Sequence, residues 1–277
     1  MSQGFRPVPP PAVLAELERF ILDLNAAAAA VTLPLFRTIL GIDNKAGSGA
    51  AFDPVTAADQ GAEAAIRQLI AERFPEHGVI GEEYGSDRSD AEFVWVLDPV
   101  DGTRAFVAGI PLWAHLIGLR YQGEPLLGVI GQPYLNEVFL GAPSGSRLIR
   151  PEGERPLRVR PCAVLNEATV AATDPAGYFN GDEIEAWHDI RGPARIIRLG
   201  GDSYIFAMLA MGTIDLVLES GLKVWDIDPI IPVIENAGGI VADWRGDRLG
   251  RHGGQVLAVG DRRLLDQVRP LLKPAAA

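Results

Sequence analysis

The second half of the chain alternates short apolar runs with longer segments in which apolar residues recur at helical spacing. Such alternation of predicted strands and helices is typical of sheets that are covered by helices on both faces. The predicted strands lie near 168–173, 194–199, 214–219, 240–242 and 255–259, and the predicted helices near 182–190, 202–212, 226–237 and 262–272. The chain is therefore predicted to belong to the α/β class, which some schemes call α+β.

The first half begins with two predicted helices, one from Val13 to a break at Pro34 and one from about Thr56 to Phe74. Continuous apolar runs bounded by turn residues then predict buried strands. These strands are predicted at 79–80, 93–97, 115–121, 126–130, 138–140 and 147–149. A Pro- and Gly-rich stretch at 151–156 predicts a boundary between an N-terminal half (1–150) and a C-terminal half (151–277).

Charge and cysteine content narrow the range of partners and compartments. A net charge of −11 argues against nucleic-acid backbones and anionic membranes as general partners. The one cysteine, Cys162, excludes an internal disulfide and fits a reducing cytoplasm. No uncharged apolar run reaches the roughly 18 residues that a membrane span needs, and the start of the chain lacks the pattern of a secretory signal. These observations predict a cytoplasmic protein that binds neither nucleic acid nor membrane.

The most informative local feature is the segment from Trp95 to Thr103, in which a buried strand ends in two carboxylates three positions apart. Pro99 has no N–H group and a fixed φ, so the chain is expected to leave the sheet there. Asp98 and Asp101 would then lie at the carboxyl end of a strand, where α/β proteins commonly build sites. The next two residues, Gly102 and Thr103, could offer backbone N–H groups and a hydroxyl to an anion. The alternative is that both aspartates are only turn and cap residues.

Acidic residues in three other segments extend this pattern. Glu82 follows the strand that ends at Ile80, Asp226 precedes an apolar helix, and Asp59 lies in the first turn of the second helix. Each also has a purely structural interpretation: a solvated loop for Glu82, an N-cap for Asp226, and a favourable helix-dipole interaction for Asp59. Four segments together predict a cluster of carboxylates.

A cluster of carboxylates without His or Cys suits Mg²⁺, Mn²⁺ or Ca²⁺ rather than zinc. Without a cation such a cluster would be unfavourable, because neighbouring carboxylates raise one another's pKa values. Mg²⁺ typically bridges a few carboxylates to a substrate phosphate. The pattern therefore predicts a Mg²⁺-dependent phosphatase, with Mn²⁺ as a substitute metal, that acts on a small phosphorylated metabolite.

Four motifs, in this order along the chain, resemble the inositol monophosphatase superfamily of Mg²⁺-dependent, lithium-sensitive phosphatases. They are Val55–Asp59, Gly81–Glu83, Asp98–Thr103, and Trp225–Asp226 followed by 235–239. The resemblance implies a five-layer alternating α-β-α-β-α sandwich, a homodimer, and two or three Mg²⁺ ions per site. It also implies roles for individual residues. Glu82, Asp98 and the carbonyl of Val100 match the ligands of a first metal, and Asp98, Asp101 and Asp226 match those of a second.

Further roles follow from the same resemblance. Asp59 and Thr103 match the pair that orients the attacking water, with Glu82 assisting. Gly102 and Thr103 match residues that bind the phosphate, and Glu219 matches a position that recognises substrate hydroxyl groups. Lys45, in a Gly- and Ala-rich segment at 41–54, is a candidate for a lid over the site. The substrate-binding residues implied in this way, together with those of the branch described next, are Asp101, Gly102, Thr103, Arg104, Asp202 and Glu219.

Within the superfamily, four segments resemble the histidinol-phosphate phosphatase branch, which acts in histidine biosynthesis: 103–106, 109–113, 200–204 and 219–223. Asp202 could pair with the ammonium group of histidinol, or it could cap the helix that begins there. Asp228, Ala108 and His115 depart from the usual pattern; Asp228 could reshape the second metal site or point to solvent. The remaining histidines, His77, His188 and His252, are interpreted as surface residues.

Three other functions remain open from the sequence. They are an inositol-1-monophosphatase of broad specificity, a 3′,5′-bisphosphate nucleotidase, and a metal-stabilised regulatory protein that has kept the fold without catalysis.

Overall fold

Helices and strands alternate along the chain in the computed structural model, which describes residues 7–39, 43–44, 54–249 and 253–277. The helices of these residues are α1 (Pro11–Thr32), α2 (Ala57–Arg73), α3 (Thr103–Val107), α4 (Pro175–Tyr178), α5 (Gly181–Arg191), α6 (Tyr204–Ala210), α7 (Val224–Ile227), α8 (Ile230–Glu235) and α9 (Arg262–Leu272). Short 3₁₀ turns lie at Pro133–Leu135, Leu165–Glu167 and Lys273–Ala275. None of the helices in the described ranges is long and apolar enough to cross a membrane.

The strands form two large sheets and one small ribbon. They are β1 (Asp43–Asn44), β2 (Pro54–Val55), β3 (Gly78–Gly81), β4 (Gly85–Asp87), β5 (Phe93–Asp101), β6 (Ala114–Tyr121), β7 (Glu124–Gln132), β8 (Glu137–Ala142), β9 (Gly145–Arg150), β10 (Gly153–Pro156), β11 (Thr169–Ala172), β12 (Ile196–Leu199), β13 (Leu216–Leu222), β14 (Ile240–Ala242) and β15 (Gly254–Val259). The first sheet has the order β10-β9-β8-β7-β6-β5-β3-β4 and is antiparallel except where β3 pairs with β5. The second has the order β12-β11-β13-β15-β14, and β1 pairs with β2 separately.

The helices and the two large sheets form five layers, which are held together by three large apolar cores. Helices α1 and α2 pack Ile21 and Ile66 against Trp95 and Leu97 of the first sheet. Between the sheets, α6 and α8 contribute a middle core that includes Leu116, Ile130, Phe206, Val217, Val233 and Val256. Helices α5 and α9 cover the outer face of the second sheet, where Trp187 and Val268 are buried. The predicted five-layer α-β-α-β-α sandwich is thus confirmed.

Two glycines let α8 lie close on the first sheet. A Cβ at Gly128 of β7 would lie 1.9 Å from the carbonyl oxygen of Pro229, and one at Gly141 of β8 would lie 2.2 Å from the carbonyl carbon of Pro232. Real Cβ atoms do not approach backbone so closely, so the packing distance of this helix requires glycine at both positions.

Several predicted elements differ in the structure. The helix predicted at 226–237 is divided into α7 and α8, because Pro229 lacks the N–H group that would continue the helical hydrogen bonds. The stretch 151–156, interpreted as a boundary, contains β10, which pairs with β9 at the edge of the first sheet. The division after residue 150 stays a prediction. Residues 41–42, 45–53 and the lid candidate Lys45 lie outside the described residues.

His77, interpreted from the sequence as a surface residue, is half-buried in the structure. Its ring is stacked between Phe74 and Phe93, with ring centroids 4.5 Å and 4.8 Å away. The Nε1 of Trp95 donates a hydrogen bond to its Nδ1 at 3.1 Å. Burial lowers the pKa of His77 to about 4, so the ring is neutral at pH 7. His188 is exposed, and His252 lies outside the described residues.

Candidate active site

Three carboxylates from two parts of the chain converge at one end of the first sheet. One oxygen each from Asp98, Asp101 and Asp226 lies within 4.8 Å of the others. Asp98 and Asp101 are carried by the end of β5, and Asp226 is carried by α7. The convergence that the sequence predicted for these three residues is present in the structure.

The end of β5 contains a β-bulge, and both site aspartates lie at this bulge. Asp98 pairs with Leu116 of β6, but Asp101 pairs with Ala114, so β5 contains one extra residue at this point. The extra residue falls at the Pro99-Val100 dipeptide, where proline cannot donate to the ladder. Asp98 Oδ1 accepts a hydrogen bond from Val100 N at 3.1 Å, and this contact within the bulge stabilises it.

Gly102 then turns the chain into α3 with a φ of +78°, in the left-handed region that favours glycine. The hydroxyl of Thr103, the first residue of α3, lies 3.1 Å from Asp59 Oδ1 and 3.1 Å from the carbonyl oxygen of Val100. Asp59 is itself fixed, because its Oδ2 accepts hydrogen bonds from the N–H and hydroxyl of Thr56 at 2.9 Å and 2.6 Å. This capping box starts α2 and holds the Asp59 carboxylate beside Thr103.

Asp226 does not cap its helix in the way the sequence suggested. The N-cap of α7 is Lys223, and Asp226 is the third helical residue, whose Oδ2 accepts a hydrogen bond from Lys223 N at 2.7 Å. The other carboxylate oxygen is therefore available to the cluster. Short helices of this kind can present a carboxylate inward while satisfying their own first turn.

Asp228 does not point to solvent, which was one of the two alternatives that the sequence left open. It is 6% exposed and forms a buried ion pair with Arg120 of β6.

His115, another departure from the family pattern, is fully buried and contacts α1. Its Nε2 lies 3.0 Å from the hydroxyl of Thr32 and its Nδ1 lies 3.0 Å from Asn25 Oδ1.

A cavity of about 390 Å³ is lined by the convergent carboxylates and by all of the predicted substrate-binding residues. We refer to its carboxylate cluster as the inner wall (Glu82, Asp98, Val100, Asp101 and Asp226) and to the other lining residues discussed below as the outer wall (Gly102, Thr103, Arg104, Tyr178, Asp202, Ser203, Glu219 and Lys223). The structure thus brings together, around one cavity, every predicted site residue except Lys45, which is not described, and Asp59, which lies behind Thr103.

The inner carboxylates are under strong mutual repulsion. Burial is the largest cause that raises the pKa of Asp98 well above its usual value, and the charges of Glu82, Asp101 and Asp226 raise it further. Burial and the charge of Asp101 raise the pKa of Asp226 to about 8. All available donors are hard oxygens: carboxylates and the Val100 carbonyl. This donor set and its unrelieved charge fit a divalent oxygen-preferring cation.

Two further carboxylates, Asp202 and Glu219, also line the cavity. Burial raises the pKa of Glu219 to about 8, although its Oε1 accepts hydrogen bonds from Thr173 N at 2.7 Å and Thr173 Oγ1 at 2.8 Å. Burial and the charge of Asp101 raise the pKa of Asp202 to about 7, and Arg104 partly opposes this. Asp202 does not cap α6, since Ser203 is the N-cap residue, and its φ of 44° turns the chain just before that helix.

Sequence reasoning missed three residues of the cavity wall. Tyr178 lies with its ring centroid 5.3 Å from the guanidinium carbon of Arg104, Ser203 donates its N–H to Asp101 Oδ2 at 2.6 Å, and Thr173 holds Glu219. All three are uncharged at pH 7. Tyr178 and Thr173 belong to no motif, and Ser203 lies in the segment 200–204 but acts through its backbone N–H, so the sequence carried no signal for these roles.

Comparison with known proteins identifies the family. The model of the inositol monophosphatase family matches residues 14–273. The chain belongs to the inositol monophosphatase family. The predicted resemblance is confirmed, and the protein is a phosphatase of the phosphoric monoester hydrolase class.

Individual relatives within this family differ in the substrate that their names give. The chain is 40% identical to the chloroplastic bifunctional phosphatase IMPL2 of Arabidopsis thaliana, over 84% of this chain and 66% of that protein. It is 32% identical to a histidinol-phosphatase of Chlorobaculum parvum, over 81% and 85% of the two chains. A solved inositol monophosphatase from Zymomonas mobilis superposes with a TM-score of 0.83 at 37% identity, covering 94% and 98%.

We expect metal-free protein to lose stability as the pH rises from about 4 to about 8. Asp226 has an ordinary pKa of 3.8 and a folded-state pKa of about 8, so between these values the folded state holds a proton that the unfolded state has released. Stability is therefore highest below the unfolded pKa and falls until the pH passes the folded one. Thermal unfolding of chelator-treated protein at pH 6 and pH 8.5 measures this.

The same melting curves with saturating Mg²⁺ provide the control. A bound cation favours the ionised carboxylates, so the fall in melting temperature with pH should shrink. An equal fall with and without divalent cation would show that the carboxylate cluster is not where the metal acts.

Proposed function

We propose that this chain hydrolyses L-histidinol phosphate to L-histidinol and phosphate with the help of Mg²⁺. The observation that carries the proposal is a second acidic pair, Asp202 and Glu219, in the outer wall of the cavity that Asp98, Asp101 and Asp226 also line. The inner carboxylates suit metal-assisted phosphate chemistry, and the outer pair suits a leaving alcohol that carries a positive charge.

The inner wall is proposed to hold two or three metal ions. Glu82, Asp98 and the Val100 carbonyl would ligate one, and Asp98, Asp101 and Asp226 would ligate another. When bound, Mg²⁺ would neutralise phosphate charge and lower the pKa of water. Gly102 and Thr103, at the start of α3, are proposed to hold the phosphate.

The Asp59–Thr103 pair is proposed to orient the attacking water. Asp59 is 1% exposed and already accepts two hydrogen bonds from Thr56, so its Oδ1 is fixed beside the Thr103 hydroxyl. When that hydroxyl donates to Asp59, the Thr103 oxygen is left to accept a hydrogen bond from a water in the cavity. Glu82, which also lines the cavity, is proposed to help to remove a proton from the same water.

Asp202 and Glu219 favour a substrate whose leaving alcohol carries a positive charge. Asp202 and Glu219 have pKa values raised to about 7 and about 8 by burial, so ionising both in an empty cavity is unfavourable. A substrate ammonium favours the ionised forms and makes charge-assisted hydrogen bonds with them. A neutral polyol offers hydroxyl groups but no compensating charge. This difference favours histidinol phosphate over inositol 1-phosphate.

Inositol 1-phosphate remains the second candidate substrate. Glu219 is held by Thr173 with its carboxylate in the cavity wall, an arrangement that also suits acceptance of a substrate hydroxyl. The 37% identity with the Zymomonas mobilis inositol monophosphatase supports the same alternative.

We expect Asp202→Asn and Glu219→Gln each to lower kcat/KM for histidinol phosphate by about 10- to 100-fold, the effect of losing a charged hydrogen-bond partner. The reason is that each amide keeps the shape of the carboxylate but removes the charge that faces the ammonium. Mg²⁺-dependent phosphate release from histidinol phosphate, inositol 1-phosphate, adenosine 3′,5′-bisphosphate and fructose 1,6-bisphosphate is the measurement.

Inositol 1-phosphate serves as the internal control for both variants. Its kcat/KM should fall much less with Asp202→Asn, because a hydroxyl can bond to either an amide or a carboxylate. Equal losses on both substrates, or faster turnover of inositol 1-phosphate by the unaltered protein, would contradict the histidinol assignment. A homodimer, lithium inhibition, a role in histidine biosynthesis and a cytoplasmic location stay predictions.

A further inference from the structure

One buried charge close to the site has no part in the proposed chemistry. Glu63 of α2 is fully buried, at 0% exposure. Its Oε2 accepts a hydrogen bond from Glu83 N at 2.8 Å, and its Oε1 accepts from Tyr84 N at 3.2 Å and from Arg67 Nε at 2.7 Å. Burying a carboxylate is energetically unfavourable unless it is hydrogen-bonded, and here three donors satisfy it. Two of these donors lie outside α2, so the contacts do more than stabilise the helix.

The backbone donors to Glu63 belong to the two residues directly after Glu82. The N–H of Glu82 itself donates to the carbonyl of Leu97 in β5 at 3.2 Å. Two contacts therefore fix the backbone near Glu82. Its own N–H is bonded to β5, and the N–H groups of the next two residues are bonded to Glu63. Leu97 immediately precedes Asp98, so these contacts set the position of Glu82 relative to Asp98.

The approach of Glu63 to this turn is unusually close. A Cβ at Gly81 would lie 2.1 Å from Glu63 Oε1, so the turn can reach the carboxylate only because residue 81 has no side chain. Arg67, one helical turn beyond Glu63, also donates from its Nη2 to the carbonyl of Gly85. Backbone groups of residues 83, 84 and 85 are thus all hydrogen-bonded to side chains of α2.

The contacts follow one face of a single helix. Asp59, Glu63 and Arg67 are spaced by four residues and lie on the same side of α2. Asp59 contacts Thr103, Glu63 contacts the turn after Glu82, and Arg67 contacts the end of that turn. Helix α2 therefore relates the proposed water-orienting pair to the proposed metal ligand Glu82.

We infer that Glu63 is a positioning residue for the metal site, which it serves by holding Glu82 against the carboxylates of β5. The inference rests on the proposed metal-binding role of Glu82. Ligand carboxylates need support of this kind, since loss of such outer partners typically weakens metal binding by about 10- to 100-fold.

Glu63→Gln tests the inference without changing side-chain shape. A glutamine has one acceptor oxygen, and its NH₂ group would face at least one of the three donors that the carboxylate now satisfies. The turn after Glu82 must then move. We expect the Mg²⁺ concentration for half-maximal phosphate release to rise about 10-fold, with kcat at saturating Mg²⁺ reduced less than about threefold.

Direct metal binding provides a readout that does not depend on turnover. Mg²⁺ binding to the full chain by calorimetry, and the rise in melting temperature on adding Mg²⁺, should both weaken in Glu63→Gln. Arg67→Met is a milder second variant, should Glu63→Gln fail to fold. It removes one donor from Glu63 and the contact to Gly85, and a smaller shift of about threefold in the same direction is expected.

Asp215→Asn is the matched control. Asp215 is also a buried carboxylate (1% exposed) that pairs with an arginine, Arg160, and accepts a backbone N–H, from Thr169 at 2.8 Å. It lies at the other end of β13 from the cavity. This variant should lower the melting temperature as Glu63→Gln does, but leave Mg²⁺ half-saturation unchanged.

The outcomes separate this inference from the proposed function. Unchanged metal binding in Glu63→Gln, or an equal shift in Asp215→Asn, overturns the positioning role alone. Weakened metal binding in Glu63→Gln supports it even if the unaltered protein prefers a substrate other than histidinol phosphate. If the unaltered protein binds no divalent cation, the proposed metal site is wrong and the positioning role is overturned with it.

Discussion

Asp98→Asn is expected to lower phosphate release at least about a thousand-fold and, in metal-free protein, to raise the melting temperature. A metal that stabilises transition-state charge contributes several kcal/mol, and about 4 kcal/mol corresponds to a thousand-fold change in rate. Asp98 is 4% exposed and lies among Glu82, Asp101 and Asp226. It is the one residue proposed as a ligand of both metals, so no other single substitution should reduce turnover more.

The rise in melting temperature follows from electrostatics. Burial and the neighbouring carboxylates raise the pKa of Asp98, so its ionised form destabilises the folded metal-free chain at neutral pH. An asparagine keeps the shape and removes that repulsion. Differential scanning calorimetry of chelator-treated protein should show a higher melting temperature for the variant, and added Mg²⁺ should stabilise it less than it stabilises the unaltered protein.

Asp261→Asn provides the control for Asp98→Asn. Asp261 is buried (9% exposed) but accepts hydrogen bonds from Cys162 N and Arg263, far from the cavity, so its loss should reduce stability and leave turnover unchanged. If Asp98→Asn kept most of its phosphatase activity, the proposed metal site would be wrong. If the unaltered protein released no phosphate but still lost metal-dependent stability in the variant, a regulatory role would be favoured.

The parts of the site that sequence predicted are those whose signal is local. An apolar run that ends in Asp98 and Pro99 defines both a strand end and a pair of carboxylates within a few residues. The place of Asp59 in the first turn of α2 likewise follows from a predicted helix start at about Thr56, three residues away. Where strand ends and helix starts carry the chemistry, periodicity and turn chemistry suffice to find it.

The parts that sequence missed depend on contacts between distant segments. Glu63 lies in a helix between alanines and has the pattern of an exposed residue, yet its partners are 20 and 21 residues away. The Arg120–Asp228 ion pair joins residues 108 positions apart. No local rule relates such positions, since only the stacking of α2, α7 and the first sheet brings them together.

Arg120→Met is expected to lower the free energy of unfolding by about 3–5 kcal/mol, which is the usual effect of breaking a buried ion pair by removing one of its charges. Arg120 is 8% exposed and Asp228 is 6% exposed. Asp228 cannot swing out to water easily, because it ends α7 and is followed by Pro229, whose nitrogen would lie 3.3 Å from a Cβ at Gly118 of β6. Equilibrium unfolding in urea measures the loss.

Arg248→Met serves as the control, because its ion pair with Glu124 is largely exposed and should contribute less than about 1 kcal/mol. The double variant Arg120→Leu/Asp228→Leu should recover most of the stability, since apolar residues of similar size often replace a buried ion pair without loss. A double variant as unstable as Arg120→Met would mean that the packing of the two side chains, rather than their charges, determines the effect.

The double variant also tests why the chain keeps a charged pair at this point. Asp226 lies two residues before Asp228 on α7, and the pair fixes the junction of α7 and α8 on β6. Leucines can fill the same volume, but they lack the directional contact that holds the junction in one orientation. We therefore expect the double variant to regain stability while Mg²⁺ half-saturation stays several-fold weaker than in the unaltered protein, because apolar packing restores the fold without restoring the orientation of Asp226.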